Sequence, residues 1–270
     1  MKSKYLISSF SFMVVMLCSF IGNAQPIKPK QLLKKVDASL SEIQTVVYKI
    51  DHSKKHFSSK DTIQRIAVCS LFVDYKDKMN AYHILDVKLS EAKRYGHYQY
   101  DGIYTSAVTY YTDSIDKAEK RLIENVTENN YIRIIGTHIN NYLLQDYFKK
   151  KNTFRQAKSF GAKFLIKEMK VEEVIHLNEP VYLLTVYGRN IKLPNYVQNA
   201  ENKYYIRKTD FLPVAYSFSG EFEGMKENEY CEIDYIAINP DIPLEEFKVD
   251  TNVTEIKPKA IYEKVKKYGL

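Results

Sequence analysis

A chain of 270 residues with 40 basic and 33 acidic side chains carries a formal charge of +7. Acids interspersed among the lysines exclude a nucleic-acid-binding stripe. The composition holds 23 Tyr and 13 Phe without Trp, which favours pleated, half-buried strands and admits an aromatic-lined cavity.

Lys2 and Lys4 precede an uncharged apolar run from Leu6 to Ile21 that ends at Gly22-Asn23-Ala24, the pattern of an export signal with small residues at its cleavage site. The run is shorter than the roughly 20 residues a spanning helix needs, and no basic stop-transfer cluster follows it. Cleavage after Ala24 is therefore expected, rather than a retained anchor. Bulky Leu17 before Cys18 argues against a lipidated cysteine. Loss of 24 residues leaves 246 and lowers the formal charge to +5, because two lysines and no acids go with them. That length suits one large all-β or α+β domain, expected over residues 25–250, followed by a basic tail over 251–270.

Behind Pro29, Leu32, Leu33, Val36, Leu40 and Ile43 recur at three- and four-residue intervals and predict an amphipathic helix over Lys30 to Ile43. Val46 to Phe57 and Thr62 to Tyr75 are rich in β-branched and aromatic residues and read as strands. In Ala81 to Leu89, Ala81, His83, Leu85, Val87 and Leu89 share one face while Asp86 and Lys88 point away, a half-buried strand. Tyr95 to Tyr100 and Ile103 to Tyr111 flank Asp101-Gly102, a hairpin turn.

From Asp113 to Thr137 the pattern weakens, with one further strand expected over Val126 to Ile135. Ile139, Tyr142, Leu143 and Tyr147 form a second helical stripe ending in Lys149-Lys150-Lys151. Strands return at Lys163–Val174, Val181–Tyr187, Lys203–Arg207, Val214–Glu223 and Glu229–Ile238, with Asn190 to Asn202 read as a loop. In Val214 to Phe222 the apolar positions Val214, Tyr216, Phe218 and Phe222 oppose Ser217, Ser219 and Glu221. Asn239-Pro240 and Ile242-Pro243 end the sheet, since proline donates nothing to a ladder. Pro258 to Leu270 reads as a short peripheral helix.

Local chemistry is sparse. His52 and His56 have metal-ligand spacing but sit in a strand and turn without a zincin glutamate, and read as solvated surface residues. His83, His97, His138 and His176 are scattered, without local carboxylate or cysteine companions. No nucleophile elbow, Ser-x-x-Lys, Cys-x-x-Cys or glycine-rich phosphate loop occurs, so no catalytic, metal or cofactor residue is assigned. Cys69 and Cys231 lie in apolar strand segments and are expected to be structural, either bridged or as two separate buried thiols.

The signal, leading helix, consecutive strands, Tyr100-Asp101-Gly102 turn, mid-chain helix and the run Tyr204-Tyr205-Ile206-Arg207-Lys208-Thr209-Asp210-Phe211-Leu212-Pro213-Val214 together resemble LolA-like periplasmic lipoprotein carriers over approximately Lys30 to Val249. The resemblance implies an α+β, mainly antiparallel β fold. In it an open half-barrel has helices covering its concave face, with room for acyl chains between them. The chain is longer than a plain carrier around Lys117 to Lys163 and Asn190 to Asn202, and no family site residue transfers to it. The resulting expectation is an exported, non-enzymatic carrier or sensor of a lipid or acylated partner. Leu85, Val87, Tyr216, Phe218 and Phe222 are candidate cavity-wall residues, with ordinary core positions as the alternative for each. A second class of function is a cell-envelope protein-interaction module using a sheet edge or the basic tail, through Lys257, Lys259, Lys264, Lys266 and Lys267; simple solvation of a mobile tail is the alternative there.

Overall fold

A computed structural model describes residues 26–74, 76–77, 81–90, 92–124, 164–190, 198–251 and 257–270. The expected signal segment, the Val126–Ile135 strand and the helical stripe from Ile139 to Tyr147 lie outside the described residues. Helix α1 spans Pro29–Ser41. Pro29 opens it with a preset backbone angle, and the Gln31 side chain reaches back to accept from the Lys28 amide at 3.2 Å. Leu32, Val36 and Leu40, one turn apart, form its buried stripe.

Eleven strands follow in one antiparallel sheet: β1 (Thr45–Lys55), β2 (Ile63–Val73), β3 (Ala81–Ser90), β4 (Arg94–Tyr100), β5 (Tyr104–Tyr111), β6 (Ser114–Glu124), β7 (Phe164–His176), β8 (Glu179–Asn190), β9 (Gln198–Arg207), β10 (Pro213–Phe222) and β11 (Met225–Ile238). The spatial order is β6-β5-β4-β3-β2-β1-β11-β10-β9-β8-β7. The chain thus makes two meanders, β1 to β6 and β7 to β11, joined by one pairing of β1 with β11. β6 and β7 occupy opposite ends of this order, so the sheet is an open half-barrel. An open antiparallel sheet with a helix on one face is the arrangement that the resemblance to LolA-like proteins implies.

Tight turns connect neighbours. In the β4–β5 turn Gly102 takes φ +95°, and the Asp101 carboxylate accepts from the Ile103 and Tyr104 amides at 3.0 and 2.8 Å. The β7–β8 and β10–β11 hairpins place Leu177-Asn178 and Glu223-Gly224 at positive φ, the geometry that matches strand twist in a two-residue turn.

Alternation along the strands sends side chains to two faces, and both are covered. On one face Leu32, Val36 and Leu40 of α1 pack with Tyr48, Ile50, Cys69, Leu71, Leu85, Val87 and Tyr100 in the main core, which continues across to Leu184, Val186 and Ile206. On the other face a smaller core unites Val68, Tyr95, Val108 and Tyr110 with Val265 and Leu270 of the C-terminal segment. That segment comprises α2 (Pro258–Val265) and a 3-10 turn over Lys266–Tyr268. It is therefore packed on the sheet rather than a solvated tail, with the Tyr95 and Tyr262 rings 5.1 Å apart.

Two further expectations are corrected. The stretch after Asp113 forms β6, whose charged sequence hides its alternation because the strand pairs only with β5 among the described residues. Residues read as loop up to Asn202 enter β9 already at Gln198, paired with both β8 and β10.

Truncation before Lys257 uncovers Val68, Tyr95 and Val108. It should cost about 2–4 kcal/mol from lost apolar burial, read from urea denaturation. An unchanged midpoint would show that α2 contributes nothing to the fold.

Candidate functional site

The helix-covered face carries the features with chemical interest, and the register defines their neighbours. Across β8-β9-β10-β11-β1 one row runs Val186, Asn202, Phe218, Glu229, Lys54. The adjacent row runs Leu184, Tyr204, Tyr216, Cys231, His52. Across β2-β3-β4-β5 a corresponding row runs Cys69, Leu85, Tyr98, Ala107, and beside it Ala67, Val87, Gly96, Thr109.

Of the candidate wall residues, Leu85, Val87 and Phe218 belong to the main core and Tyr216 packs against it. Phe222 closes β10, and its side chain lies outside the described residues. Leu85 and Val87 are two apart on β3, and Tyr216 and Phe218 two apart on β10. Four strand spacings, about 19 Å, separate these pairs on one face of the sheet, a distance of the order of an extended long acyl chain.

Where β1, β10 and β11 meet, this face becomes polar. His52 Nε2 and Glu229 Oε1 lie 3.0 Å apart, the Lys54 ammonium donates to Glu229 Oε2 at 2.8 Å, and the Tyr216 hydroxyl donates to Oε1 at 3.2 Å. Lys54 also meets Glu227 at 2.9 Å. His52 is buried, which overturns its reading as a solvated surface histidine. The sequence carried a signal for this: His52 continues the inward phase of Tyr48 and Ile50. Burial alone would raise the Glu229 carboxyl, but the His52 hydrogen bond and the Lys54 charge outweigh it and hold the group down at about 2. A carboxylate held ionised and saturated by three partners is suited to fixing strands, and it leaves no free base for proton transfer.

Other histidines also found partners that no local spacing announces. His97 Nδ1 lies 2.8 Å from Asp86 Oδ1 across the β3–β4 pair. His83 is fully buried beside Tyr100, with ring centroids 5.6 Å apart, and burial lowers its pKa to about 3. Among the described residues no cluster of three or more His, Cys, Asp or Glu side chains is placed to hold a metal ion.

Cys69 and Cys231 are both free and buried. Their partners on β1 are Tyr48 and His52, so they stand two strands and four residues apart. That is about 16 Å from strand spacing and rise, far beyond the roughly 4.4–6.8 Å of a disulfide. Burial pushes the Cys69 thiol up to about 12 and raises Cys231 as well, so neither is a ready thiolate.

The opposite face holds two polar grooves. One, of about 430 Å³, is bordered by Ser53, Lys203, Ser217, Ser219 and Tyr230; the other, of about 300 Å³, by Asp51, His176, Arg207 and Glu232. Within the second region the His176 ring stacks on Tyr205 at 4.2 Å and its Nε2 lies 3.3 Å from the Tyr230 hydroxyl. Ser217 and Ser219 face this side, as alternation predicts.

No family model matches the chain, and no curated protein matches it. Solved structures with a similar arrangement include LprF from Mycobacterium bovis, at 5% identity, covering 81% of this chain and 97% of that one with a TM-score of 0.44. A putative outer membrane lipoprotein-sorting protein domain from Vibrio parahaemolyticus shows 7% identity over 80% of this chain and 94% of that one, TM-score 0.32. A LolA superfamily protein from Nitrosomonas europaea shows 11% identity over 83% and 99%, TM-score 0.28. The likeness is one of general arrangement only.

Two measurements check this region. Because the Glu229 pKa falls from 4.5 to about 2 on folding, its stabilisation is complete above pH 4.5 and is lost as pH falls towards 2. Glu229→Gln should therefore lower stability by roughly 3 kcal/mol at pH 7 and by much less at pH 2.5; an equal loss at both values would contradict the assignment. Both thiols should resist a maleimide in the native protein and react fully in denaturant, and rapid native labelling of either would refute their burial.

Proposed function

We propose that the protein is an exported, non-enzymatic carrier or sensor that holds a lipid or an acylated partner against the helix-covered face of its sheet. The observation that supports this most is the breadth of the core on that face: one cluster of buried apolar side chains runs from Leu85 and Val87 on β3 to Leu184 and Val186 on β8. Helix α1, 13 residues and about 20 Å long, lays its stripe of Leu32, Val36 and Leu40 on this face. Leu85 and Val87 at one side, and Tyr216, Phe218 and Phe222 at the other, are the proposed walls along which an acyl chain lies, its length matching their separation.

Asn202 adds a polar feature in the same place. It is 2% exposed, it neighbours Phe218 in the row defined above, and its Nδ2 has no hydrogen-bond partner among the described residues. An unpaired buried amide donor costs about 1–3 kcal/mol, and an ester or amide carbonyl of an acylated ligand would satisfy it. The saturated Glu229 and the two raised, buried thiols fit a binding rather than a catalytic role. Export is consistent with the leader-like segment over residues 1–24.

Lipid extraction of the purified protein followed by mass spectrometry tests the reading. The expected outcome is a reproducible acylated species that is depleted in Phe218→Asp, with the variant's folding checked by thermal melting. A wild-type protein that carries no lipid and takes up no fatty-acid probe after delipidation would sink it.

A further inference from the structure

Three arginines share the helix-covered face around the Leu85–Val87 wall: two lie just beyond Val87 and one in the row of Leu85. Arg65 lies two residues from Ala67, the β2 neighbour of Val87; Arg94 lies two residues from Gly96, the β4 neighbour of Val87. Arg121 reaches the same region through Ala107, which it faces on β6 and which in turn faces Tyr98. Tyr98 leans back over Gly96, where even a Cβ atom would stand 2.6 Å from its ring, so its phenol points towards this arginine group. Burial raises the Tyr98 pKa, and the charges of all three guanidinium groups act on it in the opposite sense.

These cations lack the counter-charges that the other polar features possess. Lys54, His52 and His97 each meet a carboxylate. The side chains of Arg65, Arg94 and Arg121 make no hydrogen bond or ion pair among the described residues, and the Arg65 Nε is buried without a partner. Glu119, two residues before Arg121 and facing Thr109, is a carboxylate on this part of the face among the described residues, one against the three guanidinium groups. A planar guanidinium presents paired donors that match the oxygens of phosphate, and several converging guanidiniums select anions over neutral groups.

We propose that Arg65, Arg94 and Arg121, grouped around Tyr98, bind the anionic phosphate headgroup of a lipid whose acyl chain runs along Val87 and Leu85. The inference rests on the lipid-binding reading above and goes beyond it by naming the headgroup class and the residues that select it. Zwitterionic lipids place a cation next to the phosphate and meet repulsion here, so the site discriminates by headgroup while the apolar wall does not.

Calorimetric titration of the delipidated protein tests this with three probes: dihexanoyl phosphatidylglycerol, dihexanoyl phosphatidylcholine with the same chains, and inorganic phosphate. The wild type should bind the anionic lipid at least about tenfold more tightly than the zwitterionic one at low salt. Arg94→Gln and Arg121→Gln, at exposed positions that leave the core intact, should each reduce that preference. The combination with Arg65→Gln should abolish it, so that the two lipids bind with equal affinity. Equal affinity of the wild type for both lipids, or a preference that survives in the triple variant, overturns the headgroup site while the carrier reading stands. Binding of neither lipid overturns the headgroup site, while lipid extraction and the fatty-acid probe decide the carrier reading separately. Phosphate that binds alone with the affinity of the anionic lipid, and is lost in the triple variant, overturns the lipid as the source and identifies a free-phosphate site.

Discussion

The pairing of β1 with β11 is the constraint on which the molecule depends. Among the described residues every other strand pairing joins neighbours in sequence, while this one joins residues as far apart as Val46 and Ile238. Side chains lock it at both ends. At one end Asn239, at φ +52°, accepts from the Gln44 and Thr45 amides at 2.7 and 3.2 Å and donates to the Glu42 carbonyl at 3.0 Å, while the Thr45 hydroxyl donates to Pro240 O at 2.6 Å. At the other end Glu229 and Glu227 on β11 meet His52 and Lys54 on β1. Between the locks Tyr48 faces Tyr235 and Ile50 faces Ile233, so the apolar face passes from one meander into the other without a break.

That continuity explains why the central strands look different from the outer ones. β2 is nearly all apolar from Ile66 to Val73, Ser70 excepted, with Ala67, Val68 and Cys69 buried in succession, because α1 lies over one face and α2 over the other. A strand covered twice loses the alternation of a strand with one wet face. At the open edges β6 and β7 carry closely spaced charges such as Lys117, Glu119 and Arg121, or Lys167, Glu168 and Lys170. Charge along edges without a partner strand among the described residues opposes pairing with a second sheet.

Alternation made most of the sheet legible in advance. Ala81 to Leu89, Tyr95 to Tyr111 and Val214 to Phe222 show period two in their residues, and Asp101-Gly102 declares its turn. The helix over Pro29–Ser41 was legible from its four-residue apolar spacing, and its lower boundary from Pro29. β6 was not, since a strand with one paired edge needs few apolar residues and its sequence reads as surface. The polar sites failed to show for a different reason. His52 and Glu229 are 177 residues apart, and the three arginines come from three strands, so only the register brings them together. Leu85, Val87, Tyr216 and Phe218 were readable as inward-facing, yet their arrangement as two groups across one face follows from strand order, which no local pattern encodes.

Strand order also shapes how the chain reaches this state. Within each meander a strand meets its partner after a short hairpin, so both halves are rich in local contacts and can organise early. Among the strand pairings of the described residues, the seam alone requires closing a loop of almost two hundred residues, from Val46 to Ile238. Loop-closure entropy grows only logarithmically, so this step costs about 5 kcal/mol in chain entropy before its contacts form. Asn239 and Glu229 sit where that late closure must be secured, and mutations there would act mainly on the rate of opening rather than on assembly of the halves. Residues 246–251 and 257–270 add a second tie, because they follow β11 in the chain yet pack on β2, β4 and β5, so the late closure is held from both faces of the sheet.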